Sequence, residues 1–395
     1  MKIVIAGAGI GGLAAGLALA RAGCDVEIYE QASEISEVGA GLQISPNGMR
    51  VLEALDVTGA LEPYIFEPEA ISLRMGLTGR EIFFLPMKGY AQGRWGARFV
   101  QVHRADLHEV LRAACIAAKV AIRTNAKATG YVRERGGASL YLEDGTRAFG
   151  DVLVGADGIH SVIRAQLASP DRARFTGNMA WRCLVPAEVL GADAPPAEGC
   201  IWAGPEKHAV TTRVRGGDLV NFVGIVEQDA WREEGWSVEG SRTEALRDFE
   251  GWVPQVRRVL ASASTLNRWA LFDRPALTSW TDGPVTLVGD AAHPMLPSMA
   301  QGAVQALEDA WVLAECLKDT SDKLAGLSRY AVLRRGRTAR VQKRSADNLR
   351  LFHKSGLSQI AAYSPIWMAA RLSPALIHQR QDWIYGHDAT RLPPE

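Results

Sequence analysis

Three stretches rich in glycine and aspartate contain residue types whose spacing could bind a phosphate-bearing cofactor. In the first, Gly7, Gly9 and Gly12 form a G-x-G-x-x-G pattern. Gly7 would permit a tight turn, Gly9 a close approach of the backbone to a pyrophosphate, and Gly12 close packing of a helix on a strand. Glu30 follows Gly12 at roughly the 20 residues expected for an acid that holds a ribose hydroxyl. This pattern predicts a dinucleotide site, and a glycine turn without a ligand is the alternative.

The elements that must position these glycines lie within the first thirty residues. Residues 2–6 are a short apolar, β-branched run, residues 13–22 an alanine- and leucine-rich helix, and residues 25–29 a second strand. A helix that starts at the glycine turn offers free N–H groups and the positive end of its dipole to phosphates. Leu13, at the start of this helix, and Gln31, directly after Glu30, complete the candidate cofactor-binding residues of the unit.

Two later stretches repeat the arrangement of a buried strand followed by glycine and aspartate. Asp157 and Gly158 follow a strand predicted over residues 151–154, and Gly289 and Asp290 follow the apolar run that ends at residue 288. In open α/β sheets, ligands bind outside the carboxyl ends of the strands. We therefore expect Asp290 at that edge of the sheet.

The pattern of the chain changes between residues 178 and about 226. Helical periodicity disappears there, and short strands separated by Gly/Pro turns replace it. This change predicts an antiparallel sheet inserted into the nucleotide-binding domain. We expect a hairpin within residues 70–100 to join this inserted sheet, on the substrate side. The tail from residue 373 is expected to be irregular at its end. We predict three segments in chain order. Residues 1–177 form the first part of the nucleotide-binding domain, and residues 178–268 form the substrate domain. Residues 269–395 form the second part of the nucleotide-binding domain and the C-terminal helices.

The composition favours a globular protein that binds neither nucleic acid nor membrane. The 395 residues are 47% hydrophobic, the formal net charge is zero, and the five cysteines form no C-x-x-C pair. A neutral chain lacks the basic surface that nucleic acid requires, and no apolar stretch reaches the roughly 18 residues of a membrane helix. No histidine spacing indicates a metal site. We therefore expect a cytoplasmic monomer or homodimer that holds no metal.

The three stretches together resemble the fingerprints of the single-component flavin-dependent aromatic hydroxylases, of the para-hydroxybenzoate, salicylate and 6-hydroxynicotinate hydroxylase type. Residues 157–164 match the D-G-x-x-S-x-x-R motif of this family, and residues 289–310 are the most specific stretch. The resemblance covers nearly the whole chain. It implies an α/β fold in which a Rossmann-like FAD-binding domain carries an inserted antiparallel β-sheet substrate domain and a helical C-terminus.

The resemblance also implies which residues would hold FAD. Arg104 matches a flavin-contacting arginine, and Asp157 lies in a motif placed near the pyrophosphate and linked to NAD(P)H use. Asp290 stands where a carboxylate holds the ribityl chain; capping a helix is its alternative or additional role. A helix N-terminus suits the anionic N1–C2=O edge of reduced flavin, and the residues that open this helix are Gly302, Ala303 and Val304.

Four residues are candidates for the substrate side. Pro294 offers a carbonyl acceptor, and His293 is either a residue near the ring or a hydrogen-bonded core histidine. Gln43 occupies the place of a histidine in the hydroxynicotinate enzymes and can orient a ligand, but it cannot act as a base. Arg213 either clamps a carboxylate or lies at a strand edge in solvent. Thr212 stands where many relatives carry a substrate-facing tyrosine, so the ring substrate is left open.

The implied activity is that of an FAD-dependent monooxygenase. NADH or NADPH reduces the flavin, O2 forms a C4a-hydroperoxide, and this species hydroxylates a small aromatic carboxylic acid of the hydroxybenzoate or hydroxypyridine carboxylate type. No second nucleotide fingerprint is present, so the nicotinamide is expected to bind transiently. Two alternatives stay open: a flavin monooxygenase or epoxidase acting on a bulkier or neutral ring, and a flavin-binding protein without turnover.

Overall fold

The computed structural model describes residues 1–34, 40–168, 173–231 and 237–393. The sequence also predicts a loop over residues 31–41, and residues 35–39 of this loop lie outside the described residues. The α-helices are α1 (Ile10–Arg21), α2 (Pro46–Ala54), α3 (Thr58–Leu61), α4 (Tyr90–Trp95), α5 (Arg104–Ala117), α6 (Val162–Leu167), α7 (Arg242–Asp248), α8 (Pro254–Ser262), α9 (Gly302–Leu317), α10 (Lys323–Phe352), α11 (Gly356–Leu372) and α12 (Pro374–Tyr385). The strands are β1 (Lys2–Ala6), β2 (Asp25–Tyr29), β3 (Gly41–Ile44), β4 (Ala70–Met75), β5 (Glu81–Pro86), β6 (Val100–His103), β7 (Ala121–Arg123), β8 (Ala128–Glu134), β9 (Gly137–Leu142), β10 (Arg147–Gly150), β11 (Val152–Gly155), β12 (Arg174–Pro186), β13 (Gly199–Gly204), β14 (Lys207–Val214), β15 (Leu219–Glu227), β16 (Ser237–Glu239), β17 (Asn267–Asp273), β18 (Thr281–Asp282) and β19 (Val285–Leu287).

A six-stranded sheet carries the three stretches that the sequence singles out. Its order is β18-β19-β11-β1-β2-β7, and all pairs except β18–β19 are parallel. Because β1, β11 and β19 are neighbours, the loops that follow them leave the same edge of the sheet side by side. This topology confirms the expected position of Asp290 at the carboxyl edge and creates the crevice in which α/β folds bind ligands.

The first glycine turn has the close packing that its pattern predicts. Gly7 has φ +103°, and a Cβ atom there would lie 2.5 Å from the carbonyl oxygen of Ala156. A Cβ at Gly12 would lie 2.0 Å from the carbonyl oxygen of Gly7. A larger residue at Gly12 would push α1 away from β1, and one at Gly7 would push the loop after β11 away from β1, so the two glycines set these two close approaches.

An eight-stranded sheet forms the second layer. Its order is β16-β17-β12-β15-β14-β13-β4-β5, and β13–β4 is its parallel pair. The strands expected between residues 178 and 226 are present as β12 to β15. The hairpin β4–β5 is hydrogen-bonded to β13, although more than a hundred residues separate them. The placement of domain boundaries near residues 177 and 268 stays a prediction.

The C-terminal tail is helical before it becomes irregular at its end. Residues 374–385 form α12, with Pro374 in its first turn. Proline suits that place because its fixed φ fits a helix and its missing N–H would have no partner there. Residues 387–393 form no helix or strand, which confirms the expected irregular end of the tail. No helix in the described parts of the chain has the length and apolarity needed to cross a membrane.

A buried cluster of ionised side chains joins α9 to α10. The Nε of Arg334 donates to Asp309 at 2.7 Å, its Nη1 donates to Glu308, and Arg337 donates to both oxygens of Glu308 at 2.7 and 2.8 Å. Glu308 and Asp309 are fully buried. Burial alone would raise the pKa of Glu308, but Arg334 and Arg337 outweigh it and hold this pKa below its ordinary value.

We predict that Arg334→Met lowers the free energy of unfolding by about 3–5 kcal/mol, because it leaves two buried carboxylates short of a partner. Urea-induced unfolding measures the loss. The matched control is Arg350→Met on the same helix, whose side chain is 75% exposed. An exposed ion pair of this kind contributes about 0–1 kcal/mol, so the control should change stability little. Equal losses in both variants would contradict the role of the cluster.

Candidate active site

One cavity of about 430 Å3 lies where the parallel sheet, the eight-stranded sheet and the C-terminal helices meet. Its nucleotide side is formed by the loops after β1, β11 and β19 and by the start of α9. Its opposite wall is apolar and is supplied by strands of the eight-stranded sheet, through Ile71, Leu73, Phe83, Leu85, Ile201, Val210, Val223 and Ile225. The cavity therefore joins the crevice to the face of the second sheet.

The start of α1 forms an anion-binding end of this cavity. Gly9, Ile10 and Gly11 line it, and a Cβ atom at Gly9 would meet no atom within 4 Å. No side chain caps α1, and no acidic residue lies in its first turn. The N–H groups of the first turn and the positive helix end therefore face open space that fits a phosphate. Leu13 is fully buried and does not line the cavity, so its contribution is to the core.

The carboxylate of Glu30 fixes the glycine turn. It accepts hydrogen bonds from the N–H groups of Ala8 at 2.7 Å and of Ala32 at 2.9 Å. An ionised carboxylate has about four acceptor sites, so these two bonds leave capacity for hydroxyl groups of a ligand. The side chain of Gln31, the next residue, is exposed and does not line the cavity.

Arg104 and Asp290 both line the cavity at the edge of the parallel sheet. The Asp290 side chain faces the cavity, and the cavity is enclosed by protein, so the carboxylate is shielded from bulk water. This burial raises the pKa of Asp290, and the nearby His293 and Arg104 act against the rise. Burial likewise lowers the pKa of Arg104, and Asp290 opposes that change. The two side chains thus form a polar end of a mostly apolar cavity.

Asp157 is a helix-capping residue in this structure. Its Oδ2 accepts from the N–H of Val162 at 2.8 Å and of Ile163 at 3.3 Å, and its Oδ1 has no partner among the described residues. Burial raises the pKa of Asp157. Its neighbour Gly158 lines the cavity, whereas Asp157 does not.

The start of α9 also faces the cavity. Gly302 and Ala303 line it, and the helix has no side-chain cap and no acid in its first turn. Val304 instead is fully buried. Gln301 anchors this helix start, because its Nε2 donates to Ser45 Oγ at 2.8 Å and its Oε1 accepts from Asn47 Nδ2 at 3.2 Å. The network fixes the direction in which the free N–H groups of α9 point.

The structure does not bring His293 and Pro294 to the cavity. Nε2 of His293 lies 2.5 Å from Asp309 Oδ2, and its ring stacks on Trp280 with centroids 5.2 Å apart. The carbonyl oxygen of Pro294 accepts from Gln342 Nε2 at 2.8 Å. Neither residue lines the cavity. For His293 the alternative of a hydrogen-bonded core histidine therefore describes the geometry, and the Pro294 carbonyl is already paired.

Arg213 is on the far side of its strand from the cavity. Successive side chains of a strand point to opposite faces, and in β14 His208, Val210 and Thr212 line the cavity. The guanidinium of Arg213 donates to the carbonyl of Pro195 at 3.0 Å. The expectation that it clamps a carboxylate in this cavity is therefore not met. Of the four candidates for the substrate side, Gln43 lines the cavity.

Sequence reasoning missed Arg182, which lines the cavity from the middle of β12. Its guanidinium lies over the ring of Trp269, 3.8 Å from the centroid, and its Nε has no partner. No carboxylate of the described residues pairs with it. Burial, and after it the nearby charge of Arg104, lowers the pKa of Arg182 to about 10. The available signal was a single charge in the otherwise apolar run of residues 179–185.

His208, like Arg182, lines the cavity but was not among the candidate site residues. It is fully buried, and its Nε2 has no partner within the described ranges. The signal was strand alternation, because His208 lies four residues before Thr212 and therefore on the same face of β14. Thr212 itself accepts from Asn221 Nδ2 at 3.0 Å. The eight-stranded sheet thus places Arg182, His208, Thr212 and Asn221 among the apolar side chains of its cavity wall.

Comparison with known proteins assigns this architecture to a family. The family described as "FAD binding domain" matches residues 1–345. The chain is 36% identical to a 3-amino-4-hydroxybenzoate 2-monooxygenase of Streptomyces platensis, over 98% of this chain and 96% of that protein. It is 34% identical to a 3-hydroxybenzoate 6-hydroxylase of Polaromonas naphthalenivorans, over the same shares of the two chains.

The fold agrees with a solved structure of similar length. Klebsiella pneumoniae HpxO, complexed with FAD and uric acid, superposes with a TM-score of 0.86 at 27% identity, covering 98% of this chain and 97% of that one. The expected Rossmann-like α/β fold with an antiparallel sheet and C-terminal helices is thereby confirmed. The chain belongs to the family of single-component FAD-dependent aromatic hydroxylases, and it is an FAD-dependent monooxygenase.

Proposed function

We propose that this protein hydroxylates a small aromatic carboxylic acid, of the hydroxybenzoate or hydroxypyridine carboxylate type, with NADH and O2. The observation that carries the proposal is the guanidinium of Arg182, enclosed without a carboxylate partner among the described residues, on an apolar cavity wall. A buried cation without an anion is costly, and a carboxylate is its bidentate partner. The names of the two monooxygenase relatives, both of hydroxybenzoates, support this substrate class.

The residues around the cavity fit FAD. The free N–H groups of α1 at Ile10 and Gly11 would hold the pyrophosphate, and Glu30 would accept from the ribose. Asp290 and Arg104 would hold the ribityl chain and the ring, and the start of α9 would face the anionic edge of the ring. When bound, FAD supplies the redox and oxygen chemistry, while the protein supplies positioning and excludes water.

Three groups on the sheet wall would orient the substrate. Arg182 would pair with the carboxylate. Of the other three arginines that line the cavity, Arg344 and Arg380 are exposed at its rim, and Arg104 would hold FAD. His208 Nε2 would accept the proton of a ring hydroxyl, and Gln43 would orient the ring. An electron-rich phenolate promotes attack at a ring carbon, so a base at this wall helps the reaction.

The second candidate is oxygenation of a bulkier or neutral ring. It is favoured by the apolar side chains of Phe352, Ile366 and Ile377, which extend the cavity towards the C-terminal helices. However, the flavin ring would share this cavity of about 430 Å3, so only part of its volume would be open to a substrate. Product identification after incubation with NADH and a panel of aromatic acids and neutral rings separates the two candidates. The cytoplasmic location, the lack of nucleic-acid binding and the monomeric or homodimeric state stay predictions from composition.

We predict that Glu30→Ala weakens FAD binding about 10- to 100-fold, which corresponds to the roughly 1.5–3 kcal/mol of a charged hydrogen bond. Titration of the apoprotein with FAD, followed by flavin fluorescence, measures the effect. The matched control is Asp25→Ala. Asp25 is an exposed acid at the start of β2, the strand that Glu30 follows, and this variant should bind FAD normally. Wild-type protein that binds FMN as tightly as FAD would count against the ribose contact.

We predict that Arg182→Gln raises the apparent KM for the aromatic acid about 10- to 100-fold, because a charge-assisted bidentate contact is lost. The KM for the corresponding neutral amide should change much less. Steady-state NADH oxidation with both compounds gives the comparison. Arg213→Gln, on the other face of the sheet, is the control and should leave both values unchanged. The same increase for acid and amide would show that Arg182 does not hold a carboxylate.

A further inference from the structure

A chain of hydrogen bonds leads from the cavity wall to the protein surface. His208 lines the cavity, and its Nδ1 lies 2.7 Å from Nε2 of His353, the residue that directly follows α10. Nδ1 of His353 lies 2.8 Å from Oε1 of Glu227, at the end of β15. The side chain of Glu227 is 49% exposed, whereas that of His353 is 3% exposed. Three residues therefore connect a fully buried ring atom with solvent.

The exposed carboxylate fixes the tautomers of both histidines. An ionised carboxylate can only accept, so the proton of a neutral His353 is on Nδ1 and its Nε2 carries a lone pair. His208 must then donate from Nδ1, which leaves its Nε2 unprotonated. That Nε2 has no hydrogen-bond partner within the described residues. The resting state thus presents a proton acceptor on a side chain that lines the cavity.

Burial favours the neutral form of both rings. Burial lowers the pKa of His208 well below its ordinary value, and His353 lowers it further. Burial also lowers the pKa of His353, although Glu227 and Glu206 act in the opposite direction. The other titratable neighbour on β14, Lys207, donates to the carbonyl of Asp248. A neutral pair can take up a proton at one end only if it releases one at the other.

We propose that His208, His353 and Glu227 form a proton relay that carries the proton of a substrate ring hydroxyl from the cavity to solvent. The inference rests on the proposed function for its substrate. The hydroxyl proton moves to Nε2 of His208, the Nδ1 proton of His208 moves to Nε2 of His353, and the Nδ1 proton of His353 moves to Glu227 and then to water. Each step breaks one O–H or N–H bond and forms another, and no oxidation state changes. When the oxygenated ring later regains aromaticity, its oxygen takes a proton back along the same path, which restores the starting tautomers.

Glu227→Gln tests the relay in the FAD-loaded protein. Glutamine keeps an oxygen that accepts from His353 Nδ1 but cannot take up the proton, and its exposed position protects the fold. Glu206→Gln is the matched control, since Glu206 is an exposed carboxylate near His353 whose side chain is not bonded to the ring. We expect Glu227→Gln to lower kcat for a phenolic acid such as 3-hydroxybenzoate about tenfold or more, as for other lost acid–base catalysts, with KM nearly unchanged. Added formate should restore kcat in this variant.

A second measurement needs no substrate. In protein labelled with 15N-histidine, the N–H proton shared by His208 and His353 gives a downfield proton resonance, whose exchange with water is measured by saturation transfer. We expect Glu227→Gln to slow this exchange severalfold and Glu206→Gln to leave it unchanged. Unaltered exchange in Glu227→Gln would overturn the relay, as would an unaltered kcat. Absence of hydroxylation of every aromatic acid by wild-type protein would instead refute the proposed function, and the exchange measurement would still decide on the relay.

Discussion

The carboxylate of Asp309 fixes the loop that follows β19, and the nucleotide side of the cavity depends on it. It accepts from the N–H of Gly289 at 3.0 Å and from Arg334 Nε at 2.7 Å, and it lies 2.5 Å from His293 Nε2. The loop is therefore tied to α9 and α10 at once. Gly289 and Asp290 line the cavity, whereas His293 is buried against Asp309. The core interaction thus leaves Asp290 as the polar side chain of this loop that faces the cavity.

The parts of the fold that the sequence predicts are those determined by local backbone geometry. Gly12 is required by the close approach of α1 to the carbonyl of Gly7, and Gly7 by its positive φ and the nearby carbonyl of Ala156. Such a turn leaves a recognisable spacing in the sequence. Asp290 follows a buried strand, and adjacent parallel strands bring such residues to one edge. In each case a contact between residues near in sequence, or the order of strands, decides the position.

The substrate wall could not be predicted in the same way because it depends on strand faces and on distant partners. Thr212 and Arg213 are neighbours, yet only Thr212 meets the cavity, and the face of β14 is set by pairing with strands from other parts of the chain. Arg182 is recognisable as unusual only when its enclosure and Trp269 are known. His208 gains its chemistry from a contact with His353, which lies 145 residues away in the chain. Residue type alone predicts none of these three outcomes.

The pairing of the two sheets has a consequence for the order in which the chain can fold during synthesis. Strand β11 leaves the ribosome with one edge unpaired, because its partner β19 follows only after the residues of β12 to β18 have been made. Strand β4 likewise waits for β13. Contacts between such distant segments form slowly, and unpaired strand edges favour aggregation. The nascent chain thus passes through a stage with two exposed strand edges, and chaperone binding during translation would protect it most before β19 emerges.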